Sequence, residues 1–224
     1  MDKGLNELLK WSIENASTTA NDPPAGPPTN RGLNTDAINA LLGGPSDADL
    51  MKASMEVITS TDPDLTLDDK MVAFDNFEQL VESLDNANLL SNLALWPPLL
   101  AVLGNDDLPA DLRRMAAWCV GTAVQNNKPS QESLVAHGGI PALVRLATAT
   151  AEPAAVRRKA VYALSSACRN FQPAMDVCVE ALVSDGRLQQ PAKPVDAQNM
   201  DAVDEIMDSL KSEFMSTSAT AAAA

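Results

Sequence analysis

The chain holds a single histidine, His137, and only three cysteines, Cys119, Cys168 and Cys178, in 224 residues. One imidazole cannot build a His-rich metal site, and the thiols lack Cys-x-x-Cys spacing, so no metal ion is expected. An odd cysteine count inside apolar helical text reads as buried free thiols in a reducing compartment. Aromatic residues make up only 4%, and Val, Ile and Thr never alternate in strand-like runs. With Ala and Leu frequent, that scarcity predicts an all-α protein. No apolar run approaches the roughly 20 residues that cross a bilayer. Asp2, Lys3, Glu7, Lys10 and Glu14 break up any apolar leader at the start, so a soluble, cytoplasmic protein is expected. Also missing are the phosphate loop GxxxxGK[ST], the dinucleotide motif GxGxxG, a nucleophile beside a histidine and a supported pair of carboxylates. No catalytic residue, no cofactor and no enzymatic activity are expected.

Bases are scarce too, and unevenly so. The net charge is −14, yet residues 61–110 carry ten acids against one base while residues 111–190 carry six acids against nine bases. Overall acidity argues against nucleic acid or an anionic membrane as a partner. The imbalance predicts a surface with an acidic and a basic half, although solvated helix faces would produce part of it.

What the chain does have is helical periodicity, punctuated. Leu5, Leu8, Leu9 and Ile13 mark an amphipathic helix within residues 1–20, followed by a Pro/Gly-rich linker over 21–34 containing "NDPPAGPPTNRG". A short helix is expected over 35–42, and Ser46 or Asp47 can cap the next, through Leu50, Met55 and Ile58. A longer helix is expected from about Lys70 to Leu84. Then text recurs. "WPPLLAV" (96–102) matches "IPALVRL" (140–146), and "LRRMAAWCVGTAVQNNKP" (112–129) matches "VRRKAVYALSSACRNFQP" (156–173), both at a spacing of 44. That period belongs to armadillo and HEAT arrays. The Gly-Gly-Ile-Pro stretch at 138–141 then reads as a joint between stacked units, with proline in a helix's first turn. A weaker copy at spacing 40 sets Leu80, Leu84, Asp85 and Asn86 against Val120, Val124, Gln125 and Asn126. The repeat domain is placed at 35–190 and an acidic amphipathic helix at 191–215, carrying Val203, Ile206, Met207, Leu210 and Phe214. That helix either caps the last repeat, the favoured reading because terminal units must cover an exposed core, or is a detached binding helix. Residues 216–224 read as a disordered tail.

"AAWCVGTAV", "AHGGIPALVRLA" and "AVYALSSAC" resemble armadillo repeats in that order. "LLKWSIENAS", "VAFDNFEQLVESLDNANLLSNLALWPPLL", "GTAVQNN" and "VRRKAVYALSSACRN" narrow the likeness. Together they resemble the fungal members of a cytosolic family of nucleotide-exchange factors for seventy-kilodalton heat-shock chaperones, whose animal relatives are the Hsp70-binding proteins. The resemblance implies an armadillo-like right-handed superhelix of about three repeats with a flexible N-terminal arm. It also implies a monomer that grips the nucleotide-binding domain of a cytosolic heat-shock protein 70, speeds ADP release and so promotes client release. The family's signature positions fall on Asp85-Asn86-Ala87, Gly121-Thr122, Gln125-Asn126, Lys159-Ala160, Ser165 and Arg169. The repeat alignment adds an inner face on each unit's last helix: Glu78, Glu82 and Asp85, then Trp118, Thr122 and Gln125, then Tyr162, Ser166 and Arg169. The aromatics could serve ordinary helix packing instead, and Asn86, Asn126 and Asn170 could simply cap helix ends. Ala87 is taken as a point where another protein approaches closely. The N-terminal helix is read either as a tethered arm for client segments or as docked on the first repeat. Peptide-binding armadillo adaptors are the alternative, but their Trp-x-x-x-Asn ladder is missing: Trp118 is followed by Thr122, and Tyr162 by Ser166.

Overall fold

The computed structural model describes residues 45–221, with side chains as far as residue 212; the expected helices at 3–16 and 35–42 and the linker fall outside this range. The described residues from Asp47 onward form one compact unit. Ten helices follow one another among the described residues: α1 (Asp47–Thr59), α2 (Leu67–Val81), α3 (Leu84–Asn92), α4 (Trp96–Gly104), α5 (Ala110–Val124), α6 (Lys128–Ala136), α7 (Gly139–Thr148), α8 (Ala154–Cys168), α9 (Gln172–Ser184) and α10 (Met200–Ala221). They form an all-helical, armadillo-like array. The repeating unit is a nine-residue helix, a second of nine or ten, and a long one of fifteen: α3–α4–α5, then α6–α7–α8. The first two helices of a unit meet at a sharp corner, 91° between α3 and α4.

Local chemistry explains the punctuation. Prolines sit in the first turns of α4, α6 and α9, where a missing N–H leaves no intrahelical bond unmade. Gly138 ends the preceding helix with φ 70°, a left-handed conformation that costs a side-chain-bearing residue more. Asn126 and Asn170 take the same conformation (φ 52° and 57°) immediately past the C-cap residues of α5 and α8. The repeated arginines are structural. Arg113, buried, donates to the carbonyls of Asn105, Asp106 and Leu108 and pairs with Glu152 at 2.8 Å. Its counterpart Arg157 holds the Ala147 carbonyl at 2.8 Å.

The long helices α2, α5 and α8 stack side by side, α5 on α8 most extensively. Phe74, Phe77, Trp96, Leu99, Leu103, Leu112 and Met115 fill the space behind them. α10 then lies on α8 and buries Val203, Ile206, Met207 and Leu210. Arg169, just past the end of α8, meets Met200 and Asp204 in the opening turns of α10, so this last helix runs against the direction of the stack. It continues to Ala221, through residues that composition placed in a tail; alanine is the strongest helix former. No single helix among the described residues is long and apolar enough to cross a membrane.

The spacing of 40 needs correcting. α2 begins earlier than Lys70 because Thr66 and Asp69 form a reciprocal capping box at its start. It ends at Val81, and Leu84 opens a separate helix. Leu67 to Ala110 and Val81 to Val124 are each 43 residues, so 43 is the true register between α2 and α5. Glu82 therefore corresponds to Gln125, as the residue closing its helix, and Asp85 does not.

Candidate functional site

A shallow depression of about 480 Å³ opens across α2, α5 and α8, lined by Glu78, Glu82, Trp118, Thr122, Gln125, Asn126 and Tyr162. Six of the seven belong to the inner face expected from the repeat alignment, and Asn126 is a position that the family resemblance marks. Their juxtaposition follows from helical spacing, since positions one turn apart on parallel stacked helices share a surface.

A close approach of backbones builds its floor. A Cβ on Gly121 would lie 2.5 Å from the Tyr162 ring and 3.1 Å from Ala163 Cα, so only glycine lets α8 come this near to α5. Tyr162 lies over that gap, and its hydroxyl donates to Gln125 Oε1 at 3.3 Å. On the other side, Thr122 donates from Oγ1 to Glu78 Oε1 at 2.8 Å, tying α5 to α2. Between them Lys159 sets its ammonium 3.4 Å above the centre of the Trp118 ring and 5.5 Å from that of Tyr162. A cation held over an indole face is worth about 0.5–2 kcal/mol, more as water is excluded. Burial lowers the Lys159 pKa from its ordinary value, while the nearby Glu78 carboxylate works to raise it.

The remaining sequence-derived residues divide. Glu82 and Asp85 are exposed and free to meet a partner. Glu78 is only 7% exposed, so it braces the groove from beneath and does not form its outer wall. Asn86 is buried, and its side-chain amide donates to Asp47 Oδ2 at 2.8 Å and to the Leu80 carbonyl at 3.0 Å, closing α2 from inside the next helix. Ala87 is 2% exposed beneath α6, where its carbonyl faces Ser130 Oγ at 3.4 Å. Its smallness serves helix packing, and no other protein can reach it. Ser165 accepts from Arg169 Nε at 3.0 Å, and the Ser166 carbonyl accepts from Gln131 Nε2 at 3.1 Å. Arg169 pairs with Asp204 of α10, so the basic end anticipated for the groove is neutralised within the chain. Sequence offered no means to see this, because Asp204 lies outside the repeats. Lys159 was marked by resemblance alone; the repeat alignment sets it against Met115, and only the fold brings it onto Trp118.

The three thiols take no part. Cys119, Cys168 and Cys178 are buried and unpaired. Burial pushes the Cys119 thiol well up, and Cys168 is raised by a thiol hydrogen bond with Cys178 and by burial, which keeps both protonated and unreactive.

A family profile described as "Nucleotide exchange factor Fes1" matches residues 5–90, and one described as "SIL1/FES1/HPBP1 C-terminal domain" matches residues 86–208. A Gibberella zeae protein named Hsp70 nucleotide exchange factor FES1 is 58% identical over 95% of this chain and 98% of its own length. A Neurospora crassa protein named Hsp70 nucleotide exchange factor fes-1 is 48% identical over 96% of this chain and 100% of its own. Among solved structures, an engineered protein superposes with a TM-score of 0.50 over 80% of this chain and 68% of its own, at 20% identity, a likeness of fold alone.

Proposed function

Because this chain belongs to the Fes1 family of Hsp70 nucleotide exchange factors, we propose that it acts as a co-chaperone that binds a cytosolic heat-shock protein 70 on the nucleotide-binding domain and accelerates ADP release. The observation that carries the site assignment is the groove across α2, α5 and α8. There, half-buried aromatic rings lie on a braced floor beside the exposed Glu82, with Asp85 opening the next helix. Aromatic rings at low entropic cost, ringed by polar groups, are what a recognition surface for a folded partner requires.

The work is mechanical. A rigid, stacked surface that fits the chaperone's nucleotide domain only when its cleft is open stabilises that open state. ADP affinity falls by the same factor by which nucleotide weakens this protein's binding, since the coupling is reciprocal. No bond is made or broken by the chain, in keeping with a family of exchange factors and not of catalysts. We place it in the cytoplasm, as a monomer.

Stopped-flow release of labelled ADP from a cytosolic heat-shock protein 70 tests this directly. The wild type accelerates release; reversing the exposed charges with Glu82→Arg and Asp85→Arg reduces that acceleration about tenfold, through loss of complementary contacts. Unchanged ADP release with the wild type would leave a scaffold or adaptor role. Arg169→Glu is a poor probe of the groove, because it breaks the pair with Asp204 first.

The segment at residues 1–34 is proposed as an arm that engages apolar client segments. Deleting residues 1–30 leaves ADP release intact and slows client release from the chaperone. Loss of both activities counts against an independent arm.

A further inference from the structure

Beside the groove, against the Trp118 and Tyr162 rings that line it, Lys159 is a cation without an ionic partner. Among the described residues no carboxylate lies within ion-pair distance of its ammonium. Glu78, the anion that raises its pKa, already accepts from Thr122 through Oε1. Its ammonium is held by the Trp118 ring on one side, which supplies no hydrogen-bond acceptor oxygen. A lysine ammonium carries three donors; here the aromatic face fixes its position, and its surroundings remove part of its water. Its stem is held too, since the residue is only partly exposed between α5 and α8. Two further cations sit nearby: Arg114, one turn before Trp118 and loosely paired with Asp111 at 3.3 Å, and the exposed Arg158, one turn before Tyr162. Carboxylates therefore line the α2 side of the groove, while Lys159, with Arg114 near it, places positive charge beside Trp118 on the α5 and α8 side.

We propose that Lys159 is the specificity-determining cation of this groove, pre-positioned by Trp118 to receive an aspartate or glutamate carboxylate from the heat-shock protein 70 surface. This rests on the groove being the chaperone-binding face. A preformed, partly dehydrated cation loses less solvation and rotamer freedom when the carboxylate arrives than a free lysine would, which is where its contribution to affinity lies. The carboxylate completes the unfilled donors, while the acidic α2 side repels a partner docked in the reverse sense. Affinity thus follows from Lys159, and register from Lys159 set against the α2 carboxylates.

The test uses the full chain and the isolated nucleotide-binding domain of a cytosolic heat-shock protein 70, with binding measured by calorimetry across a salt series. Lys159→Met keeps the stem over Trp118 and removes the charge. It weakens binding about ten- to hundredfold at low salt and flattens the salt dependence. Lys159→Arg, which keeps a charge that also stacks on indole, recovers most of the affinity and the salt slope. Wild-type affinity and slope in Lys159→Met overturn the proposal. So does an equal loss in both variants, which marks a packing role. Failure of the wild type itself to bind or to release ADP would instead overturn the functional assignment on which this rests.

Discussion

Replacing Gly121 by alanine lowers the melting temperature by about 3–10 °C, the consequence of about 1–3 kcal/mol of overpacking, and removes most of the acceleration of ADP release. The added methyl would meet Tyr162 Cε1 at 2.5 Å and Cδ1 at 2.6 Å. A tyrosine can swing away, but then it leaves the groove floor and gives up its bond to Gln125. It cannot solve the problem alone, because Ala163 Cα stands 3.1 Å from the same methyl and belongs to backbone. α5 and α8 must part, and Lys159 and Trp118, which face each other across that seam, separate with them. Gly138→Ala is the control. It imposes a left-handed alanine, costing about 1–2 kcal/mol, where a Cβ meets nothing within 4 Å. Both variants lose stability, but only Gly121→Ala loses exchange at temperatures where each remains folded. Wild-type melting and ADP release in Gly121→Ala would show that the tight seam does not shape the surface.

That seam also separates what could be read in the sequence from what could not. Repeat text locates α5 and α8 because Arg113 and Arg157, Ala116 and Ala160, and Asn126 and Asn170 do the same structural work in each unit, and identical work selects identical residues. The face bearing Trp118, Thr122, Gln125 and Tyr162 follows from helical spacing together with the repeat alignment, and the structure gathers those residues around one depression. The first described unit is harder to read. Asp85-Asn86-Ala87 looks like the helix end Gln125-Asn126, yet a change of direction at Glu82–Ser83 moves it into a new helix and puts Asn86 and Ala87 under cover. Nothing as overt as glycine or proline marks that corner; its chemistry is an asparagine amide capping Leu80 from the following turn. Contacts between distant segments were equally hidden. Glu78 is an unremarkable carboxylate until α5 supplies Thr122 to it, and Arg169 is a free charge until Asp204 arrives from beyond the repeats. Periodicity reports which residues share a face, but not which of them another part of the chain will use.

The terminal helix carries the other large expected effect. A chain ending at residue 198, without α10, loses its cooperative melting transition, and its last repeat becomes protease-sensitive. Val203, Ile206, Met207 and Leu210 are all buried in the described unit. Fully burying one such side chain stabilises by about 1.5–3 kcal/mol, so four together reach the scale of a whole domain's net stability, about 5–15 kcal/mol. Removing them also uncovers the apolar flank of α8, the exposure that terminal units of a solenoid exist to prevent. The ion pair between Arg169 and Asp204 contributes far less, since the two side chains remain 33% and 48% exposed and such pairs add at most about 1 kcal/mol. Arg169→Glu should therefore shift melting only slightly, and exchanging the charges with Asp204→Arg should restore it. Burial and pairing thus make unequal predictions for the same interface. A helix that served only as a detached binding element would behave in the opposite way, with truncation leaving the melting temperature unchanged.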